Sequence, residues 1–212
     1  MSQKQSTNNI KNGSSLKVTN NTDNTLETHP WKPFIPEGTR MIFLGSFPPA
    51  PHRWAMDFFY PNFINDMWRI FGICLHNDKG WFVNEEKRTF HREMIERMLK
   101  ELGIGIYDTA MVVRRTRNTA SDKDLEVIKN TDFDGLLRMA PLCKYLVTTG
   151  EKATNIINSH FSIEKPKLGN HVDFIFEGRN ISLYRMPSSS RAYPMKIEDK
   201  AAFYKKLFNL IL

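Results

Sequence analysis

Met41-Ile-Phe-Leu-Gly-Ser-Phe-Pro-Pro-Ala50 decides the architecture. Its four leading apolar residues are too few for an ordinary helix and suit a strand buried on both faces. The run stops at Gly45. Pro48 and Pro49 then fix φ and withhold an N–H, so neither a helix nor a central strand continues through them. In an open α/β sheet, ligands bind just beyond the carboxyl end of such a strand.

Outward from this stretch the pattern alternates strand and helix. Strands are expected at Arg40–Leu44, Ile104–Tyr107 and Tyr145–Thr149, with a hairpin of Val172–Phe176 and Ile181–Arg185 joined by Glu177-Gly-Arg-Asn180. Helices are expected at Ile64–Cys74, Glu85–Leu102, Asp132–Ala140, Glu151–Phe161 and Ile197–Leu210. In the second helix Phe90, Met94, Ile95, Met98, Leu99 and Leu102 form one apolar stripe at helical spacing. The alternation predicts an α/β fold, a three-layer α/β/α sandwich with a mostly parallel central sheet. Residues 1–29 are Ser-, Asn-, Thr- and Lys-rich and too polar to bury a core, so a disordered tail is expected before a single domain over 30–212.

At 212 residues and 41% hydrophobic, the chain is long enough for one well-buried domain. Thirty Lys plus Arg against 23 Asp plus Glu give a formal charge of +7, which suits a polyanionic partner such as DNA. Cys74 and Cys143 are too few for a disulfide framework or a tetrathiolate cluster. With no long apolar run, a soluble, cytoplasmic protein with no membrane partner is expected. The six histidines show no metal-ligand spacing with the cysteines, and Gly103-Ile-Gly105 precedes a strand instead of opening a helix. No metal and no cofactor are expected.

Four stretches in order resemble the motif set of the uracil-DNA glycosylase superfamily. They are Gly45-Ser-Phe-Pro-Pro49, Phe58-Phe-Tyr-Pro-Asn-Phe-Ile-Asn-Asp-Met-Trp68, Gly103-Ile-Gly-Ile-Tyr-Asp-Thr109 and Met186-Pro-Ser-Ser-Ser190. The hypoxanthine-DNA glycosylase branch is the closest in pattern, and the resemblance spans roughly residues 38–212. It implies the superfamily's α/β fold and a monomer acting on DNA. It also implies hydrolysis of the bond between C1′ and a flipped deaminated base, uracil or hypoxanthine, leaving an abasic site. A non-catalytic nucleic-acid-binding domain of the same fold is the alternative.

Such a reaction needs a positioned water, a stacking face, base-reading groups and phosphate contacts. The resemblance assigns the water to Asn65, with Asn62 and Asp57 as the other candidates; a helix N-cap is the competing role for Asn65. Phe58 aligns with the aromatic that stacks on the base, with Phe59 or Tyr60 able to take its place. Ser46 and Phe47 of the first motif are further base-binding candidates, in a motif that lacks the Asp or Asn that several branches carry there. Asp108 ends a strand where it could accept the imide N–H that uracil and hypoxanthine present. Ser188, Ser189, Ser190 and Arg191 resemble the loop that grips flanking phosphates, and Arg114, Arg115 and Lys152 are further phosphate candidates.

Overall fold

The structure, a computed structural model, describes residues 26–117, 119 and 122–212. Ten strands are present among them: β1 (Leu26–Thr28), β2 (Met41–Gly45), β3 (Val83–Asn84), β4 (Thr89–Phe90), β5 (Ile104–Asp108), β6 (Ala110–Arg115), β7 (Leu125–Asn130), β8 (Tyr145–Thr149), β9 (His171–Phe176) and β10 (Arg179–Met186). The α-helices are α1 (Met67–His76), α2 (Arg92–Leu102), α3 (Phe133–Met139), α4 (Glu151–Phe161) and α5 (Ile197–Phe208).

The central sheet runs β5-β2-β8-β10-β9. The first four strands are mutually parallel and β9 is antiparallel at the edge. Register fixes where the strands end. Gly45 lies opposite Asp108, Leu44 opposite Thr148, and Met186 opposite Thr149. The carboxyl ends of four strands are therefore aligned along one edge.

Met41, Ile42, Phe43 and Leu44 have no exposed surface, as a strand buried on both faces requires. Phe43 meets Phe71 of α1 at 5.3 Å between ring centroids and Tyr204 of α5 at 6.3 Å, while Phe71 packs edge-on against Phe208 at 5.0 Å. The α1–α5 pair thus covers β2. The β9–β10 hairpin turns on Glu177 (φ 48°) and Gly178 (φ 78°), a two-residue turn with both φ values positive that matches strand twist. It is shorter than the four-residue link read from sequence because Arg179 already pairs with Phe176.

Three expectations are corrected. The chain joins the fold before residue 30: β1 pairs antiparallel with β6, satisfying its edge, and His29 is buried. The rest of the expected polar tail, residues 1–25, lies outside the described residues. The helix expected from Glu85 begins at Arg92, because Asn84 captures the Lys87 N–H at 3.0 Å and the chain turns back as the β3–β4 hairpin, with Arg88 at φ 48°. The β1-β6-β7 sheet was not expected at all. Register shifts between Ala110 and Val113 break the period-2 alternation by which β6 would be recognised. No helix among the described residues is long and apolar enough to cross a membrane.

Tyr204 is fully buried and its hydroxyl donates to the Pro187 carbonyl at 2.7 Å, tying α5 to the segment after β10. Tyr204→Phe leaves that carbonyl without its donor and is expected to cost about 1–2 kcal/mol. Urea titration should show a lower midpoint with an unchanged slope.

Candidate active site

The aligned strand ends carry a close-packed polar group. A Cβ at Gly45 would stand 2.3 Å from Oδ1 of Asp108, so only glycine lets the Asp108 carboxylate lie across the end of β2. The other oxygen, Oδ2, is 3.0 Å from Nε2 of His29, whose side chain has no exposed surface. Nδ1 of that ring faces the Trp31 backbone, and Tyr107, Phe47 and Phe59 enclose it at centroid distances of 4.7, 5.5 and 6.1 Å. Asp108 is therefore oriented, not free to rotate.

Tyr60 closes the group from the other side. Its hydroxyl lies 3.1 Å from Oγ1 of Thr149, the last residue of β8. The residue holds φ at 50°, an uncommon conformation for an aromatic, which surrounding contacts must impose. Burial, reinforced by Asp108 and to a lesser degree Asp122, raises its hydroxyl far above the usual tyrosine range. It serves as a neutral hydrogen-bonding group.

Ser46 extends the group: its hydroxyl donates to Oδ2 of Asp122 at 2.9 Å. Asp122 opens the short 3-10 turn Asp122–Asp124 before β7. Burial raises its carboxyl above the ordinary range, and Asp108 adds to this, while the Ser46 hydrogen bond, Lys152 and Arg115 oppose it.

A second constellation holds the Ser-rich loop. Asp66 is buried, and one of its carboxylate oxygens accepts from Nζ of Lys200 at 2.9 Å while the other accepts from Arg191 at 3.3 Å. Lys200 is fully buried and also donates to the Ser190 carbonyl at 2.8 Å; the Asp66 N–H donates to the Ser189 carbonyl at 2.9 Å. On the other flank the Gly150 N–H donates to the Met186 carbonyl at 3.2 Å. The loop is thereby fixed between the start of α1 and the start of α4.

The expected residues fall into two sets. Ser46, Asp108, Ser188, Ser189, Ser190 and Arg191 lie on the strand ends and the loop beside them. Asn65 precedes Asp66, which is the N-cap of α1, so the competing cap role falls to its neighbour; Asn65 Oδ1 accepts the N–H of Met67, the first helical residue, at 2.9 Å. Asn62 likewise accepts the Ile64 N–H at 3.1 Å, and the exposed Asp57 accepts from Trp31 at 2.8 Å. Phe58 is corrected: with Phe59 it is buried in the core, packed edge-on against Phe34 at 5.3 Å, whereas Tyr60 is the aromatic that reaches the strand ends. Phe47 packs against His29 and Arg115.

The basic candidates also divide. Arg114 pairs with Glu126 at 2.8 Å, and Arg115 pairs with Glu27 at 2.7 Å while donating to the Pro48 carbonyl at 2.6 Å. Lys152 donates to the Leu125 carbonyl. Arg115 and Lys152 act as internal clamps, whereas the Arg114–Glu126 pair is exposed. Arg191, with a side chain 54% exposed, keeps an open face.

His29, Thr149, Asp122 and Lys200 were missed. Lys200 had a readable signal, since it occupies the apolar stripe of α5 with Tyr204 and Leu207. Asp122 had none, because an Asp-Lys-Asp run reads as a solvated loop. An apolar groove of about 370 Å³ lined by Leu75, Trp81, Phe82 and Met94 shares no residue with this site.

No protein-family model and no curated protein matches the chain. Among solved structures, the solution NMR structure of a candidate uracil DNA glycosylase from Methanosarcina acetivorans is similar, with a TM-score of 0.58 at 20% identity. The match covers 88% of this chain and 99% of that one. At that identity the likeness establishes a shared mixed α/β fold with a central sheet.

Asp66→Asn leaves the buried Lys200 ammonium without its counter-charge and is expected to cost about 3–5 kcal/mol. Asp66→Leu combined with Lys200→Met removes both charges and should cost much less than the two single variants summed. A double-mutant cycle by urea denaturation measures the coupling.

Proposed function

We propose that the protein is a monofunctional DNA N-glycosylase. It hydrolyses the glycosidic bond of a deaminated base, uracil or hypoxanthine, flipped from DNA, and leaves an abasic site. The observation that carries this reading is the Asp108 carboxylate, fixed by His29 and laid across Gly45 at the strand ends. A carboxylate accepts the imide N–H of uracil or hypoxanthine and repels the lone pair that cytosine and adenine present at the same edge. The motif order in the sequence and the fold shared with the archaeal protein support it.

On this reading the protein is a three-layer α/β/α sandwich that receives DNA along the carboxyl edge of its parallel strands. Tyr60 supplies the aromatic face, and Ser188, Ser190 and Arg191 hold flanking phosphates. Because Lys200 also neutralises Asp66, Arg191 can turn to a phosphate without leaving a buried carboxylate unpaired. Asn65 positions the water with the part of its amide that the Met67 N–H leaves free. No step needs a cofactor, and a monomer suffices.

Single-turnover incubation with end-labelled duplexes carrying one uracil or one hypoxanthine, followed by alkali, tests the reading. Strand scission at the lesion is expected, falling about 10²–10³-fold in Asp108→Ala. Binding of the duplex without scission by folded protein would favour the non-catalytic reading. Arg191→Ala should weaken binding of every duplex alike and lower the slope of log K against log salt by about 1.

A further inference from the structure

The first motif carries no Asp or Asn, yet a carboxylate stands there in space. Asp122 reaches it from the segment between β6 and β7, and Ser46 holds one of its oxygens at 2.9 Å. Ser46 is 7% exposed and directly follows Gly45, against whose Cα the Asp108 carboxylate lies. Asp122 thus borders the place where Asp108 would read a base. We propose that Asp122 is the general base of the hydrolysis, supplied from a distant loop in place of the residue missing from the first motif.

This inference rests on the glycosylase reading. The water oxygen forms a bond to C1′ as the C1′–N bond breaks, and that electron pair leaves with the base. The water proton passes to the Asp122 carboxylate and then to solvent or to a nitrogen of the departed base. Asn65 cannot take that proton, because a neutral amide is a very weak base. A carboxylate offers two oxygens, so the bond from Ser46 does not exhaust it.

Several charged groups face Asp122. Asp108, with His29 behind it, lies at the end of β5; Lys152 approaches from α4 and Arg115 from β6; the neutral Tyr60 hydroxyl is nearby. Burial outweighs the Ser46 hydrogen bond and the two cations and raises the Asp122 carboxyl, so it ionises only above the ordinary carboxylate range of about 4. Only the ionised form accepts a proton. The excision rate should therefore rise with pH through that point and level off above it.

The test is the pH–rate profile of single-turnover excision for the wild type, Asp122→Asn, Asp122→Glu and Asn65→Ala, with circular dichroism and urea midpoints as folding controls. Asp122→Asn should lose about 10²–10⁴-fold in rate together with the acid limb. Asp122→Glu should restore part of the rate and keep a limb, and Asn65→Ala should be slower with its limb in place. An Asp122→Asn protein that excises at the wild-type rate with the same limb overturns the inference and leaves the glycosylase reading standing. No excision by the wild type of either lesion overturns both. If Asp122→Asn fails to fold, a flat wild-type profile between pH 4 and 8 overturns the inference by itself.

Discussion

Parallel pairing in register is the constraint from which the site follows. Once β2 pairs with β5 and β8, and β8 with β10, the residues that end those strands have no freedom to be elsewhere. Gly45, Asp108, Thr149 and Met186 come to one edge although the chain separates the first from the last by most of its length. Hydrogen-bond directionality sets this alignment, and side-chain chemistry exploits it afterwards. The glycine is the clearest case. Its missing Cβ is what permits a carboxylate from the neighbouring strand to cross the end of β2.

Buried charge pays for order at the loop. Isolated, either the Lys200 ammonium or the Asp66 carboxylate would be expensive to remove from water. Together with the Ser190 carbonyl they satisfy one another, and the result is a loop held at a fixed distance from α1. A hydrophobic pair of equal volume would serve stability as well or better. What it would not supply is a place for Arg191 to rest, half exposed, on a carboxylate already neutralised from behind.

The central sheet was legible because its strands are short apolar runs bounded by glycine or proline, and the boundaries of β8 and α4 were read correctly to the residue. The β1-β6-β7 sheet was not, since a bulge disrupts the pattern of β6 and the exposed face of β7 mixes Glu, Ile and Lys. Likewise Ser46, Asp108 and the Ser-rich loop could be picked out by their position next to strand ends. His29 and Asp122 could not. Their roles come from contacts across 79 and 76 residues, and nothing local distinguishes either from a solvated polar residue. Arg115 is the reverse case: a basic run looks exposed until Glu27 and the Pro48 carbonyl are brought against one of its members.

The distribution of charge finally reconciles two facts that pull apart. The chain as a whole is basic, yet the strand ends gather carboxylates, Asp108 and Asp122, beside a neutral tyrosine. A polyanion attracted by the net charge would be repelled by that interior if its phosphates had to enter. An uncharged base carrying an N–H donor would not. On the proposed reading the same carboxylates also favour the positive charge that develops on the sugar as the base departs, an electrostatic effect that grows as water is excluded. On that reading the exterior selects for nucleic acid and the interior for what nucleic acid can extrude.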